Sequence, residues 1–200
     1  MPIATLSQRR TARLTLVPDG TKPDDRHGDA LLQLPGGVSL LTIGHAPDHV
    51  GVTVNSVTWL PGEPAQVLVP IYRAAASLLM LAQCRSFGIS VLASHHSNVA
   101  ARFNGRSRPL ARTRFPGDCW HTLVTGSALL CDALAAVDCK LDEIVERPYF
   151  AVVVGRVVAA RTRTVAGPLI YWKGDYHGLP HADEDITAQW EPIVKPRNAS

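Results

Sequence analysis

Between Gly37 and Trp172 the apolar residues come in short runs cut by proline and glycine, most of them rich in valine and isoleucine. Only Ala74–Arg85 (AAASLLMLAQCR) differs: it is made of helix formers, has no Gly or Pro, and ends on a basic residue. The chain therefore lacks the repeated strand–helix alternation that builds a doubly wound parallel sheet. Gly37–Ile43, Val50–Trp59, Gln66–Tyr72, Phe87–Ala93, Val137–Asp142, Tyr149–Ala160 and Pro168–Trp172 read as strands. Pro70 suits an edge or a strand end, Gly155 a bulge, and the alternation Val137–Asp142 a strand with one wet face. Ala74–Arg85 is apolar nearly all round, so the helix is expected to be buried on more than one side. Ser94 is placed to cap a short second helix running to about Phe103, with Asn104-Gly105 stopping it. About six or seven short strands with one prominent helix suit a closed or nearly closed antiparallel barrel, which hides its sheet edges.

Two hundred residues with a 46% hydrophobic share suit one globular domain. Residues 1–27 are polar and read as a flexible N-terminal arm, 28–179 as the domain proper, and 180–200 as a C-terminal tail. A net charge of +3, with basic residues gathered only around Arg102–Arg114 and little aromatic interleaving there, does not make a nucleic-acid binder. No apolar run reaches the roughly 20 residues that cross a bilayer. Arg9-Arg10 lacks the apolar stretch of an export signal, so a cytoplasmic location is expected. Cys84, Cys119, Cys131 and Cys139 form no CxxC pair and read as reduced thiols. His95-His96 invites a metal, but adjacent side chains diverge on strand or helix, so no metal is expected.

No GxSxG, HExxH, P-loop or GxGxxG motif is present. What remains is Thr53-Val54-Asn55-Ser56, polar groups within an otherwise apolar strand. They are either the wetted outward face of a sheet or a site for a ligand with amide-like and phosphate edges. Tyr72-Arg73 followed by Ser77 in the opening turn of the helix brings a guanidinium, a hydroxyl and free N–H groups together, which suits an anion.

GVSLLTI, VGVTVNSVTWL and QVLVPIYRAAASLLML, in that order, resemble the opening of the flavin reductase-like family. FGISVLA with Asn98–Phe103, then ALAAVDCKL, VVVGRV and PLIYWKGDY, resemble its later segments, so the likeness spans roughly Asp29–Leu179. The resemblance implies a mainly β, antiparallel split β-barrel of Greek-key type and a homodimer. It also implies FMN or FAD as flavin, NADH or NADPH as hydride donor, and a partner monooxygenase fed with reduced flavin. It places Thr53, Val54, Asn55 and Ser56 on the flavin ring and ribityl chain, Tyr72, Arg73 and Ser77 near the phosphate, and Arg102-Phe103 as a closure. Phe150 stands where family members often carry a histidine beside the nicotinamide, Asp138 stands where Glu is usual, and Ala74–Ala76 lack a common hydroxyl. The expected activity is NAD(P)H:flavin oxidoreduction without a catalytic acid or base; the alternative is a flavin-binding barrel with other, oxidase-like chemistry.

Overall fold

The computed structural model describes residues 30–72, 76–104, 115, 120–163 and 166–181. Arg73, most of the basic segment and both terminal segments lie outside them. The strands are β1 (Gly36–Gly37), β2 (Ser39–Ile43), β3 (Val50–Val54), β4 (Thr58–Leu60), β5 (Gln66–Tyr72), β6 (Ser86–Val91), β7 (Trp120–His121), β8 (Leu129–Leu130), β9 (Ala135–Glu146), β10 (Phe150–Thr162), β11 (Leu169–Trp172) and β12 (Asp175–Gly178). The helices are α1 (Ala76–Cys84) and, after a 3-10 turn at Ser94–His96, α2 (Ser97–Arg102).

Seven strands form one antiparallel sheet in the order β3-β2-β6-β9-β10-β5-β4. Its two edges, β3 and β4, are consecutive in the chain and joined only by Asn55-Ser56-Val57. Four Cα steps from Val54 to Thr58 reach at most about 15 Å. A flat seven-stranded sheet would part its edges by roughly 29 Å at the usual spacing. The sheet must therefore curl until its edges nearly meet, which makes it a split barrel. The strand expected over Val50–Trp59 is in fact two, because the chain leaves the ladder at Asn55 to cross this seam.

Leu41, Ile43, Val67, Val69, Phe87, Ile89, Leu141 and Val153 fill the barrel, with Leu78 and Leu81 of α1 packed onto them. Val38, Leu40, Leu92, Ala100, Phe103, Leu130 and Leu169 form a second core outside it, under α2 and the small sheets β1-β11-β12 and β7-β8. Every residue of β2 is buried because both its faces are covered. Pro70 sits beyond the three residues of β5 that β4 pairs, so its missing N–H disturbs no ladder on that side.

Four local expectations need correction. Leu79 is 73% exposed, so α1 packs on one side only and leaves an apolar face bare. β9 does not have one wet face at Asp138, which is fully buried. The loop before β8 folds over that position, and Asp138 accepts hydrogen bonds from the amide (2.7 Å) and hydroxyl of Thr125. Ser94 caps nothing; Ala93 precedes the turn, and its N–H donates to Nδ1 of His96 at 3.0 Å. β10 is not buried on both sides along its length, since its last residues emerge from the barrel and become exposed. The register does slip at Gly155, with Asp142 of β9 the extra residue.

Candidate functional site

The seam where β3 ends is also where the molecule is hollow. A cleft of about 400 Å³ is lined by Val52, Thr53, Val54, Asn55, Ser56, Pro70, Ile71, Tyr72 and Phe150. A second chamber of about 320 Å³ shares the wall Thr53–Asn55 and Tyr72, and adds Val38, Asn104, Tyr171, Gly174 and Tyr176. Both volumes lie in the range of small-molecule sites. Because Asn55 and Ser56 belong to no ladder, their backbone groups and exposed side chains are available to whatever enters.

Thr53 is fixed by α2: its N–H donates to the Phe103 carbonyl at 3.0 Å and its hydroxyl to the Ala100 carbonyl at 2.8 Å. The hydroxyl proton is thus committed, and the oxygen faces a ligand as an acceptor only. Phe103 is fully buried in the second core and stacks edge-on with Phe115 and Trp120; it lines neither cavity. Arg102 closes α2 and is half-buried, and it too is absent from both walls among the described residues. Tyr72 and Phe150 are Cα partners across β5 and β10, so their rings stand side by side on one face, 80% and 42% exposed. Ser77 lies half-buried in the first turn of α1, one element downstream of Tyr72. Asn104, Tyr171, Gly174 and Tyr176 were not anticipated. Tyr171, Gly174 and Tyr176 stand in the segment PLIYWKGDY that helps carry the family resemblance, and Lys173-Gly174, with positive φ values (51° and 92°), makes the two-residue turn of the β11–β12 hairpin.

The walls suit the flavin that the resemblance implies. An isoalloxazine needs a flat apolar slot and hydrogen-bonding groups along its pyrimidine edge. Val52, Val54, Pro70, Ile71 and Phe150 supply the first, and the Asn55 amide with the Ser56 hydroxyl the second. The residues present fit the group.

Away from the cavities, His95, His96 and Asp132 converge, with the three ligand atoms within 4.8 Å of one another. The divergence expected of adjacent histidines fails because both rings lie on a tight 3-10 turn, their centroids 4.1 Å apart. Tautomer chemistry bears on the metal instead. Nδ1 of His96 accepts a backbone N–H, so its proton sits on Nε2, 3.1 Å from the Asp132 carboxylate, where a metal would need a lone pair. Burial pushes the Asp132 carboxyl up, but the opposing contributions, led by the hydrogen bond from His96, outweigh it, and the net pKa lies below the usual carboxylate value. A depressed carboxylate stabilises the fold above its unfolded pKa and loses that contribution as pH falls through the folded value. Thermal melts should therefore show Asp132→Asn below wild type at pH 6, with the difference closing as the carboxylate is protonated in acid.

The comparisons agree with this geometry. The family described as flavin reductase like domain matches residues 31–180. FMN reductase (NADH) RutF of Bradyrhizobium diazoefficiens is 28% identical over 161 residues, covering 80% of this chain and 88% of that protein. BorF, the flavin reductase component of a bacterial two-component tryptophan halogenase, superposes with a TM-score of 0.73 at 31% identity, over 78% of this chain and 99% of its own. The styrene monooxygenase flavin reductase of Pseudomonas putida S12 gives 0.66 at 26% identity, over 76% and 95%. A curled seven-stranded sheet, a cleft at its seam that fits a flavin, and a match over three quarters of the length together make this chain a member of the flavin reductase-like family.

Proposed function

We propose that this protein transfers a hydride from NADH to FMN or FAD and releases reduced flavin to a partner monooxygenase. The observation that carries the reading is the seam cleft, in which an apolar slot meets the polar segment Thr53–Ser56. Flavin, when bound, supplies the redox chemistry: it takes up the hydride and one proton from water while NADH leaves as NAD⁺. The chain's own part is to hold the two ring systems together and keep water out. Neither cavity wall carries a carboxylate, histidine or lysine among the described residues, and hydride transfer asks for none. Ser77, in the first turn of α1, and Arg73, four residues before it in the sequence, are assigned the flavin phosphate; the first turn of that helix holds no acidic residue to repel it.

Relatives named as FMN reductases (NADH) and as components of two-component systems support the donor and the partner. Trp59, Leu60, Tyr72, Tyr149 and Phe150 are exposed apolar residues on or beside β4, β5 and β10, and suit the interface of a homodimer. A cytoplasmic location fits a consumer of NADH with free cysteines at 84, 131 and 139; no helix of the described residues is long and apolar enough to cross a membrane. The domain so assigned covers 28–179, between the arm and the tail.

Purified protein mixed with NADH and FMN, or with FAD, should oxidise NADH only when flavin is present; no flavin-dependent loss of nicotinamide absorbance would remove the proposal. Asn55→Ala should weaken flavin binding and alter the bound flavin's absorbance. Ser77→Ala should weaken it by about 1–2 kcal/mol through loss of a charge-assisted hydrogen bond. Fluorescence titration checks both.

A further inference from the structure

Thr53 lines both cavities, and α2 decides where it stands. The last carbonyls of a helix have no partner within it, and those of Ala100 and Phe103 go to the hydroxyl and N–H of Thr53. A six-residue helix is too short to fix its own position, so its placement comes from the segment before it. That segment is the 3-10 turn Ser94–His96. On one side the Ser94 N–H, donated to the Gly167 carbonyl at 2.8 Å, anchors the turn. On the other, the nearly fully buried ring of His96 reaches back, and its Nδ1 accepts the Ala93 N–H at 3.0 Å. A glutamate or glutamine often makes this bond at a helix start, but an imidazole can make it in one tautomer only. With the proton on Nδ1, two donors would face each other at Ala93. Asp132 keeps the proton on Nε2: its carboxylate lies 3.1 Å from that nitrogen, which is buried and has no other partner among the described residues.

Resting on the flavin-binding reading above, we propose that His96 and Asp132 are positioning residues for the flavin. The carboxylate fixes the imidazole tautomer, the tautomer fixes the entry of the turn, and α2 carries that placement to Thr53. Neither residue lines a cavity. His95, whose Nε2 lies 3.6 Å from the same carboxylate oxygen, is exposed and is no part of this relay.

Full-length protein is titrated with FMN by fluorescence, well below the melting temperature of each variant. Asp132→Ala should raise the FMN dissociation constant about fivefold, the size of about one lost hydrogen bond, and shift the absorbance of the bound flavin. His95→Ala should leave both unchanged. His96→Asn keeps an acceptor for the Ala93 N–H and has no tautomer to lose, so it should bind FMN within about twofold of wild type. Adding Asp132→Ala to it should then have no further effect. Nitrogen NMR of histidine-labelled protein should show Nδ1 of His96 bare and Nε2 protonated in wild type, and both tautomers in Asp132→Ala. Asp132→Ala that lowers Tm but leaves FMN affinity unchanged would overturn the proposal, as would an equal loss of affinity in His95→Ala or in the His96→Asn background. No titration needs NADH. Wild type that binds FMN yet oxidises no NADH would sink the reductase reading alone, and an FMN affinity indifferent to Asp132 would sink this one alone.

Discussion

Gly36→Ala is expected to weaken flavin binding at least about tenfold, or about 1.4 kcal/mol, while leaving the fold intact. A Cβ at Gly36 would stand 2.2 Å from the backbone oxygen of Asn55 and 3.2 Å from its Cβ, and the first distance is far inside van der Waals contact. One of the two segments must give way. Gly36 and Gly37 are held by ladder pairs to Tyr171 and Ile170, and the next residue, Val38, donates its N–H to Leu169. Asn55 belongs to the three-residue seam crossing and to no ladder. Asn55 is therefore expected to move, and with it the amide proposed above for the flavin's polar edge. Gly37→Ala is the control, since a Cβ there meets nothing within 4 Å and flavin affinity should not change. Equal affinities for both variants and wild type would show that Asn55 contributes nothing to the site.

The second large effect lies in the barrel. Gly155→Ala should lower stability by about 3 kcal/mol, near the upper end for overpacking a core, and Tm by about 6–12 °C. The added methyl would fall 2.2 Å from Cζ and 2.6 Å from Cε1 of Phe87, a ring with no exposed surface and core neighbours around it. Core neighbours enclose the ring, so the strain is expected to fall on the β9–β10 register, already irregular at this point. Chemical denaturation measures the loss. Adding Phe87→Leu should recover part of it, so that the double variant is more stable than the sum of the two single changes. Strict additivity would mean that the methyl is accommodated elsewhere.

These features were legible in the sequence to different degrees, for physical reasons. β5 was readable to the residue because Gln66–Tyr72 is a short, valine-rich apolar run preceded by a Pro-Gly-Glu-Pro turn. The end of β3 is written only faintly, as a one-residue phase slip at Asn55-Ser56 between the valines at 50, 52 and 54 and the apolar residues at 57 and 59, while the event that divides the run, the meeting of two sheet edges, is non-local. β12 was missed because Asp175-Tyr176-His177-Gly178 has no apolar period, and only the preceding Lys-Gly turn announces it. At the site, Asn55 and Ser56 could be singled out as polar residues in apolar company. Asn104, Tyr171 and Tyr176 were not placed at the site, although the two tyrosines stand in the quoted PLIYWKGDY, because they are brought to one wall by α2 and by a hairpin from the far end of the domain. The closure expected of Phe103 fell to the core for the same reason: Gly51 leaves a hollow on β3 that its ring occupies, a Cβ there lying 2.8 Å from it.

The seam crossing also bears on how such a protein can diverge. A residue inside a sheet is bound by the pleat: changing it alters one face of the barrel and everything packed there. Asn55 and Ser56 carry no such obligation, since they belong to no ladder. Ligand preference can therefore be rewritten at these positions without renegotiating the scaffold, and the barrel can keep one shape while its descendants exchange cofactors.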